Sequence, residues 1–193
     1  MTGSFDLAVI GAGTAGLTVS RLVAASGRRV ALVEHERPGG DCLWTGCIPS
    51  KALIHAAAMA QATRRAREFG VDATFDGVSW GRVHRHIERA QAIAGEPDTR
   101  AAIAGHGVEL VNGSARFVDP HTLDIDGRRL RARFIVVATG SQPAIPPIPG
   151  LSDAGFDTNE SAFAWETLPA SLAIIGGGPI GVELGQAFCR LGV

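Results

Sequence analysis

Residues 5–16, FDLAVIGAGTAG, place a short apolar run directly before Gly11, Gly13 and Gly16. The run predicts a strand. TAGLTVSRLVAASG follows it, with Leu17, Arg21, Leu22 and Ala25 on a helical period, and RRVALVE at 28–34 predicts a second strand. Strand, glycine turn, helix and strand within about 30 residues make the size of a βαβ unit. The G-x-G-x-x-G spacing lets the backbone approach a pyrophosphate seated on the helix N-terminus. Glu34 stands at the end of the second strand, about 20 residues on, where a carboxylate can accept hydrogen bonds from ribose hydroxyls. A chance glycine-rich turn would not require strand, helix and acid together.

The theme returns near the other end. SLAIIGGGPIGVELGQAFCRLGV, 171–193, reads as strand, glycine turn and helix, with Gly176, Gly178 and Gly181 at the same spacing and Pro179 suited to a first helical turn. A discriminating acid or arginine about 20 residues further on would fall near or past Val193, so NAD and NADP both stay open. Between the loops, a long Ala-rich helix is predicted from Pro49 to about Phe69, and a second helical region at 79–106 is interrupted near GEP at 95–97. Residues 108–140, broken by NG, DP and DG, predict a small β-meander leading into a buried strand, FIVVAT. SQPAIPPIPG at 141–150 is the best linker. The expected organisation is an α/β dinucleotide-binding domain at 1–150 and the beginning of a second one at 151–193, the chain being the N-terminal part of something longer.

Glycine supplies 25 of 193 residues, about 13% against a usual 7%, as expected of backbone that turns tightly or approaches a ligand. A net charge of -1 offers no basic field for nucleic acid and no polybasic membrane anchor. No basic leader precedes the first apolar run, and none reaches the roughly 18 residues of a membrane span, so a cytoplasmic location is expected. In a reducing compartment three cysteines are expected to be catalytic, metal-binding or buried rather than structural disulfides.

GGDCLWTGCIPSK, 39–51, holds two of the three cysteines and the only lysine. Cys42 and Cys47 do not have a zinc spacing and no second pair completes a tetrahedral site, so no metal centre is expected. Positions five apart in a regular helix lie about 8–9 Å apart between Cα atoms, beyond the roughly 4.4–6.8 Å of a disulfide. A bridge therefore needs distorted backbone, for which Gly46 has the freedom. Pro49 suits a first helical position and would set Cys47 just before a helix start, where the dipole favours thiolate. Lys51, one turn in, is a compact ammonium that a flavin N5 or a buried carboxylate would suit. The plainer alternative is two buried thiols and an incidental lysine, and for Cys189 a core position is the better reading.

With GAGTAG, Glu34, GGDCLWTGCIPSK, NGSARF at 112–117, ATGS at 138–141 and GGGPIGVELG at 176–185 assembled, the chain resembles the FAD-dependent pyridine nucleotide-disulfide oxidoreductases, the class that includes lipoamide dehydrogenase, glutathione reductase and mercuric reductase. The resemblance implies a Rossmann-like, three-layer FAD-binding domain with inserted helices and a β-meander, followed by the start of a Rossmann-like NAD(P)-binding domain. It implies that Gly11, Gly13, Gly16 and Glu34 hold the ADP part of FAD. Further contacts would come from Gly40, Asp41, Lys51, the backbone at Ala115, and Thr139, Gly140 and Ser141. Gly176, Gly178 and Gly181 would serve NAD or NADP.

By the same resemblance Cys47 would be the flavin-side sulfur, Cys42 the sulfur that exchanges with substrate, and Lys51 would lie near the flavin and pair with Glu183. The implied activity moves electrons between a nicotinamide, FAD and a Cys42–Cys47 disulfide, to a disulfide, dithiol or metal-ion substrate, in an enzyme that is a homodimer at full length. Asp41 replaces the family's usual Thr or Ser, Trp44 and Thr45 replace a common Asn-Val pair, and Pro179 stands where some members carry an aromatic gate. None of His35, His55, His84, His86, His106 or His121 matches the family's C-terminal acid/base motif. Two other readings compete: a flavoenzyme passing electrons directly to a quinone or oxygen, and a non-catalytic nucleotide-binding module.

Overall fold

The computed structural model describes residues 4–193, which divide into two compact units, 4–43 with 94–142 and 44–93 with 143–193. The first is built on β1 (Phe5–Ile10), β2 (Val30–Glu34), β3 (Val108–Asn112), β4 (Ala115–Asp119), β5 (Thr122–Ile125) and β6 (Arg128–Val137), in the order β3-β2-β1-β6-β5-β4. β1 pairs in parallel with β2 and β6, and β2 in parallel with β3. β6 serves twice: Arg128–Arg131 pair antiparallel with β5, while Ala132–Val137 run beside β1.

Residues 108–140 are thus not one meander. β3 joins the parallel sheet, because Val30 through Glu34 offer it a free edge, and only β4, β5 and β6 form the antiparallel part. The DG turn between β5 and β6 is present, with Asp126 at φ 48° and Gly127 at φ 87°, the two left-handed positions that a tight hairpin of right-handed twist requires.

The central strands β1 and β2 are buried on both faces, which explains their nearly continuous apolar runs. Leu7, Val9, Val30, Leu32 and Val108 pack with Leu17 of α1 (Thr14–Ala25) and Ile103 of α5 (Arg100–Gly105). On the other face Ala8, Ala31, Val33 and Val111 pack with Leu123, Ile125 and Leu130 of the hairpin. Helices, sheet and meander make three layers, as expected. Phe134 and Val137 of β6 remain exposed, however, so FIVVAT is only partly buried. α1 also presents a different face from the one its apolar period indicates: Gly16, Leu17 and Ser20 are buried, while Leu22 is 69% exposed. A Cβ on Gly16 would lie 1.8 Å from the Gly11 carbonyl oxygen, so the close approach of the glycines, rather than the leucines, sets the helix rotation.

The second unit is helical. α3 (Cys47–Arg65) packs Leu53, Ala57 and Ala60 against Leu184, Ala187, Phe188 and Leu191 of α8 (Pro179–Leu191) and against Trp80 and Ile87 of α4 (Trp80–Gly95). The Trp80 indole N–H donates to the Trp165 carbonyl at 2.7 Å, so the ring enters the core with its polar atom satisfied. α4 ends at Gly95, a 3₁₀ turn covers Glu96–Asp98, and α5 restarts behind a Thr99 cap, which is the interruption expected near GEP. The strand expected before the second glycine turn is not formed. Leu172, Ile174 and Ile175 are exposed and in no regular structure, because a strand needs a partner ladder and none lies beside them among the described residues. No helix among the described residues is long and apolar enough to cross a membrane.

Candidate active site

The carboxyl ends of β1, β2, β3 and β6 lie along one edge of the parallel sheet, and β1 is where the chain order reverses, the place where open α/β sheets bind ligands. Gly11 follows β1 with φ 100°, and a Cβ there would meet the Ala138 carbonyl oxygen at 2.3 Å and Thr139 Cα at 3.2 Å. Only glycine fits between these strands. Gly13 is the N-cap of α1 and carries no side-chain cap, so the first-turn amides are open to an outside acceptor. Gly40, at φ 61°, has a reason that spacing alone does not show: its Cβ would stand 2.6 Å from Gly13 Cα, so two glycine backbones meet directly.

Glu34 is 9% exposed, and one of its oxygens accepts the Ala12 amide at 2.8 Å across the turn. The other accepts the Glu36 amide at 2.9 Å and lies 3.1 Å from His35 Nδ1. Carboxylate lone pairs remain for a further donor at the edge. The grip on Ala12 escapes sequence reading, which shows an acid at the strand end but not that it also clamps the glycine loop. Thr139, Gly140 (φ 69°) and Ser141 follow β6 at the same edge and are exposed. Asp41 Oδ2 lies 4.0 Å from the Cβ position of Gly140, so this carboxylate faces the 139–141 turn. Ala115 opens β4, half-buried, behind Gly113 at φ 139°. Open helix amides, a glycine cradle that a Cβ would fill and a positioned acid fit the diphosphate and ribose of a dinucleotide.

The second unit repeats the construction. Gly176 has φ 109° against 100° for Gly11, and Gly178 caps α8 at φ -73°, ψ 174° against -79°, -173° for Gly13. A Cβ on Gly181 would come 2.5 Å from the Gly176 carbonyl oxygen, as one on Gly16 meets Gly11. Pro179 occupies the first turn of α8, as its spacing predicts.

In the same unit Lys51 Nζ donates to Glu183 Oε2 at 2.8 Å, one side chain from α3 and one from α8. Both are substantially exposed, 62% and 45%. Cys42 is half-buried in α2 (Gly40–Trp44), and Cys47 is exposed at the first position of α3. The chain does not run as one helix between them, since Gly46 takes φ -123°, ψ -116°. α3 begins two residues earlier than Pro49 suggests. The proline sits in the first turn, where its missing N–H leaves no intrahelical bond unmade. Cys189 is exposed rather than in the core.

Over 190 residues the chain is 30% identical to the mercuric reductase of Staphylococcus aureus, covering 98% of this chain and 35% of that protein. It is 32% identical to the dihydrolipoyl dehydrogenase of Mycoplasma pneumoniae, covering 98% and 42%. The solved HOCl-induced flavoprotein disulfide reductase RclA from Escherichia coli superposes with a TM-score of 0.80 at 28% identity, over 97% of this chain and 40% of that one. The chain thus spans well under half the length of these relatives. The family described as pyridine nucleotide-disulphide oxidoreductase, whose members are FAD-dependent enzymes using NAD(P)H, matches residues 5–193, and the chain belongs to it.

Proposed function

We propose that this chain is the FAD-binding and disulfide-bearing part of an NAD(P)H-dependent disulfide oxidoreductase. The observation that supports this best is the edge at β1, where Glu34 clamps the Ala12 amide at 2.8 Å beside uncapped helix amides and glycines that admit no side chain. When bound there, the flavin supplies two-electron chemistry between a nicotinamide hydride and a disulfide. Gly11, Gly13, Gly16 and Gly40 admit the diphosphate, Glu34 orients the ribose, and Ala115 and Thr139–Ser141 line the remainder. Gly176, Gly178 and Gly181 take the nicotinamide dinucleotide. Cys47 is the sulfur assigned to the cofactor side and Cys42 the one that exchanges with substrate. Lys51 and Glu183 form the charge pair beside them in role.

The net change is that a Cys42–Cys47 disulfide takes two electrons from NAD(P)H and two protons, becomes a dithiol, and returns the electrons to substrate by thiol exchange. The relatives' names favour a small disulfide or a soft metal ion as that substrate. A homodimeric, cytoplasmic enzyme is the expected full-length form. The test is anaerobic reduction of the FAD-loaded, full-length protein with one equivalent of NADH or NADPH, followed by alkylation and mass spectrometry. Labelling that appears at Cys42 and Cys47 only after reduction supports the relay. Flavin bleaching without new thiols transfers the reading to a flavoenzyme that reduces its acceptor directly.

A further inference from the structure

Among the described residues, three of the six histidine rings are engaged by carboxylates or backbone carbonyls. His35 lies against Glu34 and Glu36, His84 against Glu88 and the Phe163 carbonyl, and His121 against the Arg133 carbonyl. His55 of α3 and His86 of α4 differ. Both are exposed, and the contact the structure gives them is with each other, ring centroids 6.1 Å apart at an interplanar angle of 68°. The helices that carry them are fixed from behind by Leu53 and Ile87 in one core.

We infer that His55 and His86 form a binding site for a borderline divalent transition-metal ion of the copper(II) or nickel(II) kind. A metal–nitrogen bond of about 2.0 Å, plus about 1.1 Å from ring centre to nitrogen, puts two imidazoles sharing one ion at centroid separations of about 4.4–6.3 Å. The observed 6.1 Å lies inside that interval, toward a wide ligand–metal–ligand angle. α3 contains no carboxylate, and the single acid of α4, Glu88, is turned to His84. Hard, oxygen-seeking Mg²⁺ and Ca²⁺ therefore find no unengaged carboxylate on these two helices, whereas imidazole suits Cu, Ni and Zn. Arg82 and Arg89, about one turn to either side of His86, oppose any cation held by charge alone and leave the advantage to ions bound by nitrogen donation.

The position along α3 adds to the case. Cys47, Lys51, His55 and Met59 recur at every fourth residue and are all exposed, while Leu53, Ala57 and Ala60 face the core. Met59 offers a polarizable thioether one turn beyond His55. The charge of Lys51 is balanced by Glu183, so the stripe does not present a bare ammonium to an arriving metal. The site stands independently of the electron-transfer reading. Should the substrate be a soft metal ion, His55 lies eight residues from Cys47, about 12 Å along the helix.

The test is a titration of the whole chain with Cu²⁺ alone, after alkylating all three cysteines so that no thiolate can be a ligand, read by electron paramagnetic resonance. The site predicts one equivalent bound, hyperfine splitting from two nitrogens, and an affinity loss of tenfold or more in His55→Gln and in His86→Gln, since even outer-shell partners of a metal are worth about 10–100-fold. His35→Gln and His121→Gln should bind normally, and an unchanged far-ultraviolet circular dichroism spectrum separates ligand loss from unfolding. Wild-type affinity in either ring variant, equal losses in all four variants, or no stoichiometric binding by the unsubstituted chain overturns the site.

Discussion

Glycine has different meanings at different positions in this chain, and substitution can tell them apart. At Gly16 an added methyl would collide with the Gly11 carbonyl, a backbone atom that cannot move aside, so Gly16→Ala should lower stability by about 1–3 kcal/mol. It should also abolish dinucleotide binding, because relieving the clash moves α1 away from the loop. At Gly105, near the end of α5, a Cβ meets nothing within 4 Å, and Gly105→Ala should be neutral or stabilising by up to about 1 kcal/mol. Urea denaturation of the two variants side by side checks the pair, and equal effects would contradict the assigned geometry. Lys51 and Glu183 call for the opposite pattern. Their bond is short but solvent-screened, so Lys51→Met and Glu183→Gln should each change stability by no more than about 1 kcal/mol. If the pair serves the dithiol, the same variants slow the appearance of Cys42 and Cys47 thiols in the alkylation assay; an unchanged rate assigns the pair to structure alone.

Helices and strands were legible in the sequence wherever local chemistry decides them. The 3.6-residue pattern, the glycines and Glu34 were enough for β1, α1 and β2, and GEP was enough for the break between α4 and α5. Partners chosen across the fold were not legible. β3 carries the same alternation as a meander strand, and nothing in VELVN tells that its ladder lies beside β2. The exposed Leu172–Ile175 segment shows the converse, a strand-like run that stays unpaired. In the site, spacing indicated which glycines matter but not that Gly40 touches Gly13, and no sequence signal joins His55 to His86, which meet only because α3 and α4 pack. Leucine burial makes the same distinction measurable. Leu53→Ala, on the core face of α3, should cost about 2–5 kcal/mol. Leu22→Ala, on a residue the helical period had marked as inward, should change stability by no more than about 0.5 kcal/mol in thermal or urea melts.

Charge and surface chemistry act together over the chain as a whole. With 18 basic residues against 19 acidic ones, its net charge is -1 and its isoelectric point about 6.6, so electrostatic repulsion between copies is weak near neutral pH. The second unit meanwhile exposes Ile174, Ile175, Ile180 and Val182 on and beside the second glycine loop. Weak repulsion and apolar contact both favour association. Self-association should therefore peak near pH 6.6, fall on moving two units to either side, and strengthen in sulfate, which is excluded from protein surface. Ile175→Lys, on a side chain 63% exposed, removes apolar area without opening the core and should reduce association in sulfate while leaving the melting temperature nearly unchanged. Static light scattering across pH measures both. A maximum near pH 6.6 that Ile175→Lys does not alter would locate the contact elsewhere, whereas a flat profile would show that neither the small net charge nor the exposed isoleucines govern how copies of this chain meet.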